Sequence, residues 1–119
     1  MSMKATMRQV DSVTVFDISG RITLGEGCTQ LRELIRNHLA KGNKKLLLNL
    51  ADVTYIDSSG IGELVSAYTA VSSQGGQLKL LNLTKKVHDL LQITKLLTVF
   101  DVHDDEVKAI SSFDKATSV

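Results

Sequence analysis

Asp52-Val53-Thr54-Tyr55-Ile56-Asp57-Ser58-Ser59-Gly60-Ile61-Gly62 is the stretch on which the fold turns. Ahead of it, Leu46-Leu47-Leu48-Asn49-Leu50 is a short continuous apolar run. Such a run reads as a strand covered on both faces, hence part of a parallel sheet under helices. Behind it, Ile61, Leu64, Val65, Tyr68 and Val71 form the apolar face of a helix, and Gly75-Gly76 ends that helix. The strand is expected to stop near Leu50 and the helix to open at Asp57-Ser58-Ser59-Gly60, four residues all favoured near an N-cap. Gly60 with Glu63 also permits the back-reach of a capping box, glycine replacing the usual hydroxyl.

Outward from this centre the pattern repeats. Val13 to Ile18 alternates at period two and reads as a strand, with Ala5 to Val10 pairing back through a tight turn at Asp11-Ser12. Gly20 and Gly25-Glu26-Gly27 mark a loop. Leu31, Leu34, Ile35, His38 and Leu39 then fall at helical spacing, and Gly42 closes that helix. Leu78 to Leu83 reads as a strand, Val87, Leu90 and Leu91 as a short helix, and Leu97 to Val102 as the last strand. A final helix from Asp104 to Phe113 is expected to carry Val107, Ile110 and Phe113 inward. The expectation is one α/β domain over residues 4–113, with a frayed tail over 114–119. Its sheet is mixed and mostly parallel, with an N-terminal antiparallel hairpin and four flanking helices.

Composition narrows the function. The 119 residues are 43% hydrophobic and 23% charged, a globular mix, with no proline and no tryptophan. Fourteen Lys plus Arg against 13 Asp plus Glu leave a net charge of +1, too weak a field to gather nucleic acid or a membrane surface. Aromatic residues are only 4%, too few for a base-stacking platform. No signal-like or membrane-spanning run occurs, so a cytoplasmic protein is expected. Cys28 is the only cysteine, which excludes an intrachain disulfide and a metal site built on cysteine pairs. His38, His88 and His103 show no ligand spacing and read as surface or partly buried side chains. No cofactor is expected.

The motifs of catalysis are missing. Ser59-Gly60-Ile61-Gly62 lacks the lead of a nucleophile elbow, and Gly20 to Gly27 follows neither phosphate-cradling pattern. Cys28, at the start of the first helix, reads as inert more readily than as activated. A docking protein is expected, not an enzyme. Two readings of Asp57-Ser58-Ser59 stay open. One is a well-capped helix and nothing more. The other notes that two hydroxyls and a carboxylate exceed what capping needs, while Gly60 and Gly62 clear bulk from beside the serines. The opposite face of that helix (Glu63, Ser66, Ala67, Ala70) is small and weakly polar, suited to close approach by another protein.

These residues resemble the STAS domains, specifically the free-standing bacterial anti-sigma factor antagonists. The likeness rests on Ser19-Gly20-Arg21-Ile22, Leu46 to Leu50, the Asp52-to-Gly62 block, Gly75 to Leu80, and Val87-His88-Asp89-Leu90-Leu91, and spans roughly Lys4 to Phe113. The resemblance implies phosphorylation of Ser58 by an ATP-using anti-sigma factor serine kinase, with Ser59 the second choice. It implies that the unmodified form binds that kinase and frees its sigma factor, and that a metal-dependent serine phosphatase restores it. The docking surface so implied comprises Arg21, Thr23, Asp57, Ser58, Ser59, Gly60, Ile61 and Glu63. Arg21 and Thr23 stand where family members commonly carry acidic side chains, which bears on the partner's identity. A constitutive STAS scaffold, in a stress-signalling assembly or a lipid-transport complex, is the alternative, and self-pairing stays open.

Overall fold

A computed structural model describes the backbone of residues 3–117 and the side chains through Phe113. Its elements run β1 (Met3–Val10), β2 (Val13–Ile22), α1 (Glu26–Ala40), β3 (Lys45–Ile56), α2 (Ser58–Ser73), β4 (Gln77–Leu81), α3 (Lys85–Ile93), β5 (Val102–His103) and α4 (Glu106–Thr117). One five-stranded sheet has the order β1-β2-β3-β4-β5; β1 and β2 are antiparallel and every other pair is parallel. The expected mixed sheet with an N-terminal hairpin is therefore the fold. Asp11 closes the hairpin at φ 54°, a left-handed conformation that aspartate tolerates better than most residues.

The alternation of each strand divides the apolar residues between two cores. Phe16, Ile18, Leu46, Leu48, Leu50, Leu78 and Leu80 meet the inner faces of α1, α2 and α3. Val13, Val15, Leu47 and Leu81 meet Ala109, Ile110 and Phe113 of α4. Three helices thus cover one face and a single helix covers part of the other. His38 packs against the larger core: it is buried, its ring centre lies 4.9 Å from that of Phe16 in an edge-to-face arrangement, and burial pushes its pKa down.

Several boundaries differ from expectation. β2, expected to end at Ile18 ahead of a loop marked by Gly20, runs through Gly20 to Ile22. β3 continues past Leu50 to Ile56, because β2 keeps pairing with it after β4 has ended (Ser19 with Asp52, Arg21 with Tyr55, Ile22 with Ile56). β4 stops at Leu81, where Asn82 turns left-handed at φ 57°. The apolar run from Leu97 forms a 3-10 turn, Leu97–Val99, and only Val102–His103 pairs as a strand. Phe100 is drawn into the core against Tyr68, at 5.6 Å, so the run packs as a turn and not as a pleat. Val107 does not face inward: it is 75% exposed, and Ala109 takes the inner position. Helix α4 begins at Glu106 and its backbone is helical to Thr117; the side chains of the tail expected to fray from Asp114, and its last two residues, lie outside the described residues.

A polar clamp holds the start of α4. Arg8 of β1 donates two hydrogen bonds to Asp17 of β2, at 2.6 and 3.0 Å, and two to Glu106 of α4, at 2.8 and 3.0 Å. Asn49 donates to the same Asp17 at 2.9 Å and accepts from Asn82 at 3.2 Å. The guanidinium pulls both carboxyls below their usual pKa and has its own raised. Such depressed carboxyls stabilise above the ordinary carboxylate range, and that contribution is lost as the pH falls through their folded values. All three groups are about a third or more exposed, so screening limits the effect to about 1 kcal/mol. Arg8→Ala should lower unfolding free energy by about that much at neutral pH, and the deficit should shrink below roughly pH 4. Urea melts across pH test this; a deficit that grows in acid contradicts it.

Candidate functional site

The centre of the site is one carboxylate. Asp57 is the N-cap of α2, in extended conformation at φ −108°, ψ −178°. Its Oδ1 accepts the Gly60 N–H at 2.8 Å and its Oδ2 accepts the Leu24 N–H at 3.1 Å. One side chain thereby ties the helix start to the loop between β2 and α1. Its own N–H reaches the Ile22 carbonyl at 3.4 Å. Desolvation acts to raise the Asp57 pKa, but the backbone donors of Gly60 and Leu24 outweigh it and hold the carboxyl below its ordinary range. The capping box expected from Gly60 and Glu63 does not form, because Asp57 is the cap and Glu63 turns elsewhere.

Glu63 points to α1. Its carboxylate accepts two bonds from Arg32, at 2.7 and 3.3 Å, and only 8% of its side chain is exposed. Ala67 on the same helix face is buried too, while Ser66 is exposed and Ala70 half-buried, so the face expected to admit another protein is in part taken up by the α1–α2 contact. Cys28 lies in this region, buried, and burial pushes its thiol pKa up, the direction of an inert cysteine.

The implied docking residues divide into two groups. Arg21 and Ser58 are exposed, and Thr23, Asp57 and Ser59 are partly so. Gly60, Ile61 and Glu63 are buried within the domain and offer little surface to a partner. Gly60 is the more telling correction. A Cβ there would collide with the Ile22 carbonyl and come 2.6 Å from Ile56 Cγ1, so this glycine permits the close approach of α2 to β2. Gly62 does clear space: it is exposed, a Cβ would meet nothing within 4 Å, and it lies one turn beyond Ser58 on the same helix face.

Sequence reading overlooked three neighbours. Tyr55, at the end of β3, is 36% exposed and has the Lys86 ammonium 4.4 Å and the Arg21 guanidinium 5.0 Å from its ring centre. Leu24 and Ile93 are each 77% exposed. The register pairing of Arg21 with Tyr55 was the available signal, hidden because β3 was expected to have ended.

A second polar group lies away from this end. Lys79 contacts Asp101 at 2.9 Å and Ser112 at 2.8 Å, while His103 Nε2 lies 3.0 Å from Asp101 and 3.4 Å from Ser112. A Ser-His-Asp relay needs the two ring nitrogens to serve the two partners separately. Here one nitrogen faces both, so the group braces α4 against β4 and β5. Among the described residues no cluster of three or more His, Cys, Asp or Glu is placed to hold a metal, and no helix is long and apolar enough to cross a membrane.

The domain is thus a small α/β unit that presents an exposed serine at a firmly capped helix start. The family model described as the STAS domain matches residues 4–109, and the chain belongs to that family. A 102-residue alignment with the anti-sigma-B factor antagonist of Bacillus subtilis is 31% identical and covers 86% of this chain and 92% of that protein. An anti-sigma factor antagonist of Mycobacterium paratuberculosis superposes with a TM-score of 0.80 at 17% identity, covering 94% of each chain. The phosphorylated form of the Bacillus cell fate determinant SpoIIAA gives 0.71 at 20% identity, covering 92% of this chain and 98% of that one.

Two substitutions separate packing from access. Gly60→Ala should cost about 1–3 kcal/mol or prevent folding, through overlap with backbone that cannot move aside. Gly62→Ala, in open space within a helix, should stabilise by about 0.5–1 kcal/mol. Denaturant melts of both variants give the answer, and equal effects would refute the assignment. Asp57→Ala should lower stability by about 1 kcal/mol at neutral pH. Because the folded pKa is depressed, that gap should be full above the ordinary carboxylate range and should narrow below roughly pH 4. A gap that stays constant down to pH 2 would show that the carboxylate charge contributes nothing.

Proposed function

We propose that this protein is an anti-sigma factor antagonist whose unmodified form binds an ATP-using anti-sigma factor kinase and frees its sigma factor. Phosphorylation of Ser58 ends that binding, and a metal-dependent serine phosphatase restores it. The observation that carries this reading is the state of the Ser58 side chain. It is exposed at the first position of α2, and its hydroxyl engages in no hydrogen bond among the described residues. Ser59, next along, is partly buried and less open to a transferase. Kinship with antagonists named for anti-sigma factors supports the choice of partner.

The energetics favour a switch of docking over a switch of fold. A phosphoryl group adds about −1.5 to −2 charge at neutral pH. At a helix N-terminus that charge meets the positive end of the dipole, a favourable contact of about 0.3–1 kcal/mol when exposed. The domain therefore tolerates the group, and the same fold exists in a phosphorylated form in SpoIIAA. At an interface, losing one close charge complementarity costs about 2–5 kcal/mol. The difference between these magnitudes is the switch.

Incubation with the cognate kinase and ATP should add one phosphoryl group by mass spectrometry, and Ser58→Ala should abolish the gain. Ser58→Asp should weaken kinase binding by at least about 30-fold while leaving the melting temperature within roughly 2 °C. Phosphoryl transfer that persists in Ser58→Ala, or unchanged affinity in Ser58→Asp, would overturn the assignment.

A further inference from the structure

Among the described residues five large hydrophobic side chains are exposed: Met7, Leu24, Tyr55, Ile93 and Val107. Single exposed hydrophobics need no explanation. Three of these five, however, belong to the Ser58 end of the domain. Leu24 is bonded through its N–H to Asp57, while Tyr55 and Ile93 flank a groove of about 330 Å³ whose lining is completed by Ile56, Lys86, Asp89 and Leu90. Ile56 is two residues from Ser58, so groove and serine share one edge.

The charges around the groove are uneven. Lys86 and Arg21 are both exposed and both held at the Tyr55 ring, and neither meets a carboxylate among the described residues. The one acid of the groove, Asp89, is taken: Lys85 reaches it at 2.9 Å and His88 at 3.7 Å. Two cations are therefore held at the Tyr55 ring beside an open, largely apolar trough whose one acid is already paired. A ring holding cations in place lowers the ordering cost of using them, and apolar anchors ringed by charge-assisted bonds are where interfaces concentrate affinity.

We propose that this groove docks an acidic segment of the anti-sigma factor, inserting an aliphatic or aromatic side chain against Tyr55, Leu90 and Ile93 while its carboxylates engage Arg21 and Lys86. The identity of the partner rests on the proposed function; the chemistry of the segment rests on the groove. The same charges explain why a phosphoryl group on Ser58 acts against binding. It brings negative charge to the end of the domain where an acidic segment must settle, and like charges brought together across an interface are repelled.

The test uses the full unphosphorylated chain, isotopically labelled, and a short synthetic amphipathic helix carrying Leu, Phe and Glu. The amide signals of Tyr55, Lys86, Leu90 and Ile93 should shift on titration, and the peptide should bind at least about 10-fold more tightly than its Glu→Lys counterpart. The double variant Arg21→Glu/Lys86→Glu should reverse that preference, with Arg21→Ala/Lys86→Ala as the milder variant should the reversal disturb folding. Against the cognate kinase, the double reversal should cost at least about 10-fold in affinity and flatten its salt dependence. No preference for the acidic peptide, or shifts confined to another face, overturns the groove. A kinase that ignores the double reversal yet is lost to Ser58→Asp overturns the groove and leaves the switch standing. A kinase indifferent to Ser58→Asp overturns the switch, and the peptide shifts then decide the groove by themselves.

Discussion

The whole arrangement around the start of α2 hangs on the two hydrogen bonds accepted by Asp57. A helix start carries unsatisfied backbone donors, and a loop drawn close to it carries more. One carboxylate with two oxygens meets a donor of each, the Gly60 N–H and the Leu24 N–H. The side chain that sequence reading assigned to partner contact is thus occupied within the domain. It holds the start of α2, with Ser58, and the Leu24 loop in a fixed relation. Gly60 completes the arrangement from beneath, since only a residue without a side chain lets α2 approach the Ile22 carbonyl so closely.

For the switch proposed above, a firm frame has a chemical purpose. A modifiable hydroxyl is useful as a signal only if its chemistry changes without its surroundings rearranging. The two cores on either side of the sheet, the Arg32–Glu63 pair between α1 and α2, and the Arg8 clamp on α4 all fix the frame on which Ser58 is displayed. Helix ends receive the same care. Gly42 and Gly75 close α1 and α2 in left-handed conformation, and Lys95 closes α3 at φ 63° with the Leu96 N–H returning to the Leu91 carbonyl at 2.8 Å.

The sheet, its hairpin and its four helices were legible because each rests on a strong periodic signal: alternation in Val13 to Ile18, a continuous apolar run in Leu46 to Leu50, helical spacing in α1 and α2. Ser58 stood out as a candidate because its neighbours form an unusual polar block, and the structure leaves its side chain exposed at the start of α2. What escaped was set by partners distant in sequence. The extension of β3 to Ile56 depends on β2, not on any apolar run. Glu63 reads as surface until Arg32 is brought against it, and Val107 reads as core until Ala109 proves to be the residue facing the sheet. The gathering of Arg21, Tyr55 and Lys86 joins three elements, and no local pattern announces it.

The unequal lengths of the strands have one more effect. From Leu50 to Ile56, β3 is paired with β2 alone, so two strands jut past the margin of β4 as a ledge, and α2 springs from its tip. The overhang is not detached from the interior: Ile22, Val53 and Ile56 on it are buried in the larger core, and Gly60 rests directly on Ile22 and Ile56. Repacking beneath the ledge therefore reaches the root of α2 without any intermediary, and the two regions are bound to vary together.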